Sequence, residues 1–289
     1  MEAQDIARTL PPDPRVGVTP KYSREATIAA VTSFYQSLCK LPHFDPSDIL
    51  YPPTQGWPNI THETFSAYCK SEEVVELLRH LPYLKPYSSN ADGGPKGRYQ
   101  GQCDYLLAPD TLCINYSDEK LQHFADGRIQ DGKGSGPLWL EIPPWVVPLT
   151  RSVDNYGIWL LFDTTDGTAT RYDLVGYTYD PDYEPDDPRH WRDKCEDVTM
   201  RLKDYLEMWN EKWMCLTWLC VPGETRPSLR FHSPNEGYKD EKDAQMQEIM
   251  RTHGWPDAFR KEECKEALLV WKNREDEASR FEVLAKLKS

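Results

Sequence analysis

The run Gly157-Ile158-Trp159-Leu160-Leu161-Phe162-Asp163, followed by Thr164-Thr165-Asp166-Gly167, constrains the fold more than any other part of the chain. Residues 156–163 are apolar on both alternating sets, so a strand made of them needs cover on both faces, with helices expected on one of them. Asp166-Gly167 is a turn signal, and residues 168–172 and 174–179 continue the β-branched and aromatic pattern beyond it. Residues 103–107 and 111–116, separated by Ala108-Pro109-Asp110, and residues 139–142 also have strand character. Together they predict a central antiparallel sheet across residues 103–179 and an α+β fold, with helices from both the N- and C-terminal parts packed around it.

Helical spacing supplies those partners. Ile28, Val31, Phe34 and Leu38 share one face of a helix over residues 23–40, with Ser23 as its cap and Pro42 as its stop. Thr61 is a second cap, and two short helices are expected over 61–70 and 71–80, the second carrying a stripe of Val74, Val75, Leu77, Leu78 and Leu81 that Pro82 terminates. Trp191, Cys195, Val198, Leu202, Tyr205 and Trp209 recur at spacings of three and four, which predicts one long amphipathic helix. Residues 224–243 read as polar, and a final helix is expected from about residue 257 to 286. Residues 1–21, with four prolines and little apolar periodicity, read as a disordered tail, and residues 22–289 as a single α+β domain with a helical C-terminal part.

The charge balance narrows the partners. With 47 acidic and 34 basic side chains the net charge is −13, against both nucleic acid and an anionic membrane surface as the principal partner. The hydrophobic fraction of 39% supports a sizeable core despite a mean hydropathy of −0.71. The apolar stretch 213–221 is far shorter than the roughly 20 residues that span a bilayer. The start of the chain lacks the basic and apolar regions of a secretory signal, so a cytoplasmic location is expected, and the two Asn-X-Ser/Thr sequons at Asn59 and Asn115 carry no meaning there. The eight cysteines include no CxxC pair, which suggests reduced thiols and neither a zinc ribbon nor a redox site.

No complete catalytic, metal or cofactor motif is present. The seven histidines form no HxH or HExxH pair, and no GxSxG elbow occurs. The glycines of 131–136 lack the Lys-Ser/Thr of a phosphate loop. The acidic run 180–187 has Pro185 where a calcium loop needs Gly and Arg192 where it needs Glu, so it reads as a solvated linker. Asp163 and Asp166 read as turn residues that bond their own backbone. The two Gly-Trp-Pro tripeptides, at residues 56–58 and 254–256, read as helix lead-ins in which Trp anchors to the core. Of the ten tryptophans, Trp145, Trp213 and Trp218 are the candidates for an exposed ligand or partner surface.

Gly56-Trp57-Pro58, residues 74–83 and His253-Gly254-Trp255-Pro256-Asp257-Ala258-Phe259-Arg260 resemble a group of uncharacterised fungal proteins that carries no activity to transfer. More remotely, residues 158–174, a strand ending in Asp163 that turns through Asp166-Gly167 into another, resemble the central hairpin of the SUKH superfamily, within a resemblance that covers 138–209. Its members are similar cytosolic α+β proteins, including toxin-neutralising immunity proteins and fungal regulators of cell-wall synthesis, and most act by binding partners. The resemblance implies a cytosolic, non-catalytic protein-interaction module with a protein partner and no cofactor, and assigns no functional residue. The alternative is an enzyme or small-ligand binder with a cleft between the sheet and the Trp-rich helices.

Overall fold

A computed structural model describes residues 22–85, 106–126, 128–130, 137–139, 142–152, 157–172, 183–195, 198–221, 228–231 and 241–286. The tail 1–21, the loops 87–102 and 131–136, the strand expected over 174–179, Cys103 and the first residues of the acidic linker lie outside the described residues.

The chain opens with α1 (Arg24–Leu38), whose cap Ser23 accepts a hydrogen bond from the Ala26 N–H at 3.2 Å. Thr27, Val31, Phe34, Tyr35 and Leu38 are the face it buries. A short 3₁₀ turn leads into β1 (Ile49–Leu50); α2 (His62–Phe65), capped by Thr61, and α3 (Glu72–His80), capped by Ser71, come next. In α3, Glu72 and Glu73 lie in the first turn and Arg79 and His80 in the last, the arrangement that suits the helix dipole. β2 (Tyr83–Leu84) then pairs antiparallel with β1.

The strands that follow are β3 (Leu106–Ala108), β4 (Thr111–Cys113), β5 (Arg128–Gln130), β6 (Pro137–Trp139), β7 (Val146–Pro148), β8 (Thr150–Ser152), β9 (Trp159–Asp163), β10 (Thr168–Tyr172) and β11 (Thr199–Arg201). The expected hairpin forms: Thr168 pairs with Asp163 and Tyr172 with Trp159, and all five residues of β9 are buried. The fold is α+β, but the single central sheet expected over 103–179 is divided. β11-β10-β9-β7 form one antiparallel sheet, β3-β4-β8 another, and β5-β6 a separate pair. The division occurs at Leu149. Its N–H bonds the Leu160 carbonyl while its carbonyl accepts from Ile114, so β7 serves one sheet and β8 the other.

The long helix expected from Trp191 is also corrected. His190–Lys194 is a 3₁₀ turn, β11 pairs with β10, and the helix α4 (Leu202–Met214) begins only at Leu202. Trp191, Cys195 and Leu202 are all buried, so the periodic spacing came from three elements that contribute to one core. The segment read as polar likewise holds structure. β12 (Trp218–Val221) pairs with β13 (Ser228–Phe231), and α5 (Glu241–Thr252) precedes α6 (Lys261–Lys286). One hydrophobic cluster runs from Val31 in α1 to Leu268 in α6. Both Gly-Trp-Pro tryptophans are anchors. The indole N–H of Trp57 donates to the Leu81 carbonyl, and that of Trp255 to the Met214 carbonyl, each at 2.9 Å. No helix among the described residues is long and apolar enough to cross a membrane.

Candidate functional site

Two features meet at the 164–167 turn. Inside it, the Asp163 Oδ1 accepts from the Thr165 N–H (2.8 Å) and hydroxyl (2.5 Å), and the Asp166 Oδ1 from the Thr168 N–H (3.0 Å) and hydroxyl (2.7 Å). These are the local bonds expected of turn aspartates. The 3₁₀ turn at 190–194 then supplies the cation. Arg192 Nη2 donates to the Thr168 hydroxyl at 2.7 Å and lies 3.3 Å from Asp163 Oδ2 and 3.4 Å from Asp166 Oδ2. All three charged side chains are at most 5% exposed. Both oxygens of each carboxylate are engaged within the fold, so the cluster pins the turn, and through it the start of α4, whose Leu202 N–H bonds the Gly167 carbonyl at 3.2 Å.

Outside the turn, α1 and α4 lie side by side and parallel. Their N-terminal ends share a cleft of about 250 Å³ lined by Ser23, Thr27, Asp166, Gly167, Arg201 and Lys203, and further along the Ser37 hydroxyl meets Asn210 Oδ1 at 2.6 Å. That cleft adjoins, at Ala30 and Lys203, a second of about 420 Å³ lined by Ser33, Gln36, Ser37, Lys40, Glu207 and Asn210. Phe34 and Leu206, both buried, give this groove an apolar floor beneath a polar, solvent-facing wall.

The tryptophans proposed from sequence do not line this groove. Trp213 is buried, with its indole N–H on the Leu107 carbonyl at 3.0 Å, and so belongs to the core instead of a surface. Trp218 is half-buried and packs edge-on against Trp213, ring centres 5.6 Å apart. Trp145 is half-buried elsewhere, its carbonyl accepting from both the N–H and the hydroxyl of Thr164. Between sheet and helices, among the described residues, lies an internal void of about 20 Å³ bordered chiefly by Phe34, Tyr35, Leu107, Leu160 and Leu206. Three of its hydroxyl-bearing neighbours are bonded within the fold: Tyr83 to the Leu78 carbonyl, Tyr116 to that of Pro148, and Thr150 to that of Ile158.

Burial pushes the thiols of Cys195, Cys220 and Cys264 upward, that of Cys264 to about 12, which suits structural cysteines and not nucleophiles. The seven described cysteines carry no disulfide, and no group of three or more His, Cys, Asp or Glu side chains positioned for a metal occurs among the described residues. Arg192 escaped sequence reasoning because its neighbours Trp191 and Cys195 fitted a helix. Lys40, Arg201 and Lys203 escaped it because exposed cations carry no periodic signal. The β-compatible Val198-Thr199-Met200, able to pair with β10, was the one hint that a strand and a fresh helix start occur there. No protein-family model, curated protein or solved structure matches this chain.

Proposed function

We propose that this protein is a cytosolic partner-binding module, regulatory or scaffolding in role and not catalytic, and that it docks a segment of another protein between α1 and α4. The observation that supports this reading is the groove itself: two adjoining clefts with an apolar floor and a largely solvent-facing polar wall. Its walls are two helices of 15 and 13 residues, tied together by Ser37 and Asn210, and thus rigid elements suited to presenting a fixed surface. By contrast, the buried Asp163, Asp166 and Arg192 are already matched to one another. The SUKH-like hairpin described above points in the same direction, since most members of that superfamily act through partners.

A photo-crosslinking residue placed at exposed Ser33, with a control at exposed Glu119, tests the reading in the native cell. The expected outcome is a discrete protein adduct from position 33 and none from position 119. Equal, diffuse labelling from both positions would dispose of the groove as a docking site.

A further inference from the structure

We propose that the segment bound between α1 and α4 is acidic: its carboxylates meet Lys40, Arg201 and Lys203, and an apolar side chain rests on Phe34 and Leu206. This deepens the partner-binding reading and rests on it.

Charge is distributed in the groove against the trend of the molecule. The chain as a whole carries −13, yet the groove presents Lys40, Arg201 and Lys203 against one exposed acid, Glu207. Glu207 is engaged by Lys203 at 3.6 Å, and Asp166, which also borders the groove, is held from inside by Arg192. Lys40 and Arg201 make no ion pair among the described residues, so the groove keeps positive charge that no described side chain neutralises. On an acidic protein such a reversal steers an anionic segment to this face and repels it elsewhere.

The helices reinforce that field. Because α1 and α4 are parallel, their positive ends lie together at the Gly167 end, where the dipoles favour negative charge. α1 is capped by Ser23, but α4 has no side-chain cap, its preceding residue being Arg201. From Ser23 to Lys40 the groove extends about 25 Å at 1.5 Å per helical residue, room for about seven residues of extended peptide. Ser33 and Gln36 supply neutral hydrogen-bonding groups along the way. Residues 1–21 of the chain itself are poor competitors on charge: Glu2, Asp5 and Asp13 against Arg8, Arg15 and Lys21 give 3 − 3 = 0.

The test uses the full chain and two fluorescein-labelled octapeptides followed by fluorescence anisotropy. One contains Glu and Asp around a central Leu-Phe pair; the other replaces every acid with Lys. The acidic peptide should bind and weaken as salt rises, and the basic one should not. Lys40→Glu/Lys203→Glu, both at exposed positions, should keep the wild-type melting curve and weaken the acidic peptide at least tenfold. Failure of the acidic peptide to bind the wild type, or equal binding by the double variant, would overturn the proposal. So would concentration-dependent self-association in sedimentation velocity that the double variant abolishes, because it would seat a second copy in the groove. Sequencing the adduct from position 33 separates the two levels. An acidic crosslinked segment supports the proposal, a neutral or basic one overturns it while leaving the groove as a docking site, and no discrete adduct removes the groove reading as well.

Discussion

The ion cluster under the 164–167 turn and the groove between α1 and α4 share Asp166, yet they treat charge in opposite ways. In the cluster, two carboxylates and one guanidinium have left water, and each is held by hydrogen bonds drawn from the turn or from the opposing ion. In the groove, Lys40, Arg201 and Lys203 stay solvated and keep their field outside the molecule. Desolvation decides the difference: a buried charge must be matched by the fold, whereas a surface charge is held at little cost and remains available to a partner. The comparison therefore divides the polar residues into those that build the scaffold and those that can work at its surface.

Removing one member of the cluster gives the largest expected effect. Arg192→Ala leaves Asp163 and Asp166 buried without their cation and should lower unfolding stability by roughly 3–5 kcal/mol. Equilibrium urea denaturation at neutral pH measures it. A loss below about 1 kcal/mol would mean that the cluster is hydrated and that its separation from the groove is wrong.

His43 sharpens the rule, because it is a half-buried residue whose two ring nitrogens are buried with no counter-ion among the described residues. Among the described residues neither ring nitrogen has a hydrogen-bond partner, the ring packs against Phe44 and Trp213, and the nearby charge is the cation of Lys261, whose ammonium bonds the carbonyls of Cys39 and Phe44. Burial, aided by Lys261, lowers its pKa to about 3. The folded state therefore keeps a neutral imidazole while the unfolded chain takes up a proton below about pH 6.5. Its effect is nil above that pH, and stability falls as the pH drops from about 6.5 toward 3, by about 2 kcal/mol at pH 5. His43→Phe should remove this part of the acid dependence between pH 7 and pH 5. Parallel stability–pH curves for wild type and variant would place the imidazole in water.

These expectations also mark what was legible in the sequence. The β9–β10 hairpin could be read because its signals are local: alternation with period two, a turn dipeptide, and aspartates that bond residues two positions away. The caps Ser23 and Thr61 were legible for the same reason. The 190–201 segment was not, because a 3₁₀ turn, a three-residue strand and the first turn of a helix can share the spacing of one amphipathic helix, and only pairing of β11 with β10 separates them. Trp213 misled in the opposite direction. Tryptophan is equally suited to a wet surface and to a core with a carbonyl within reach, and the Leu107 carbonyl that decides the matter is 106 residues away. The groove was illegible as a site because its two walls are joined only through the fold.

The smallest expected effect tests the boundary itself, at Gly167, where cluster and groove meet. Gly167 has φ +76°, and its N–H closes the turn onto the Asp163 carbonyl at 2.9 Å. An added Cβ would meet little, the nearest atom being the Tyr22 Cα at 3.6 Å, so the cost of a side chain is one of backbone conformation and not of collision. A β-branched residue is strained in the left-handed region, whereas Asn tolerates it. Gly167→Val should therefore destabilise by about 1–2 kcal/mol and Gly167→Asn by less, both measured by urea denaturation. Because residue 167 also borders the groove, the valine side chain should reduce binding of the acidic octapeptide at a temperature where the variant is fully folded. Loss of stability without loss of binding would assign Gly167 to the scaffold alone and shift the binding surface toward Lys40. Loss of binding with stability intact would show a turn more adaptable than its geometry indicates, and the boundary between the two regions would then have to be drawn on the inner side of the turn, between Asp166 and Arg192.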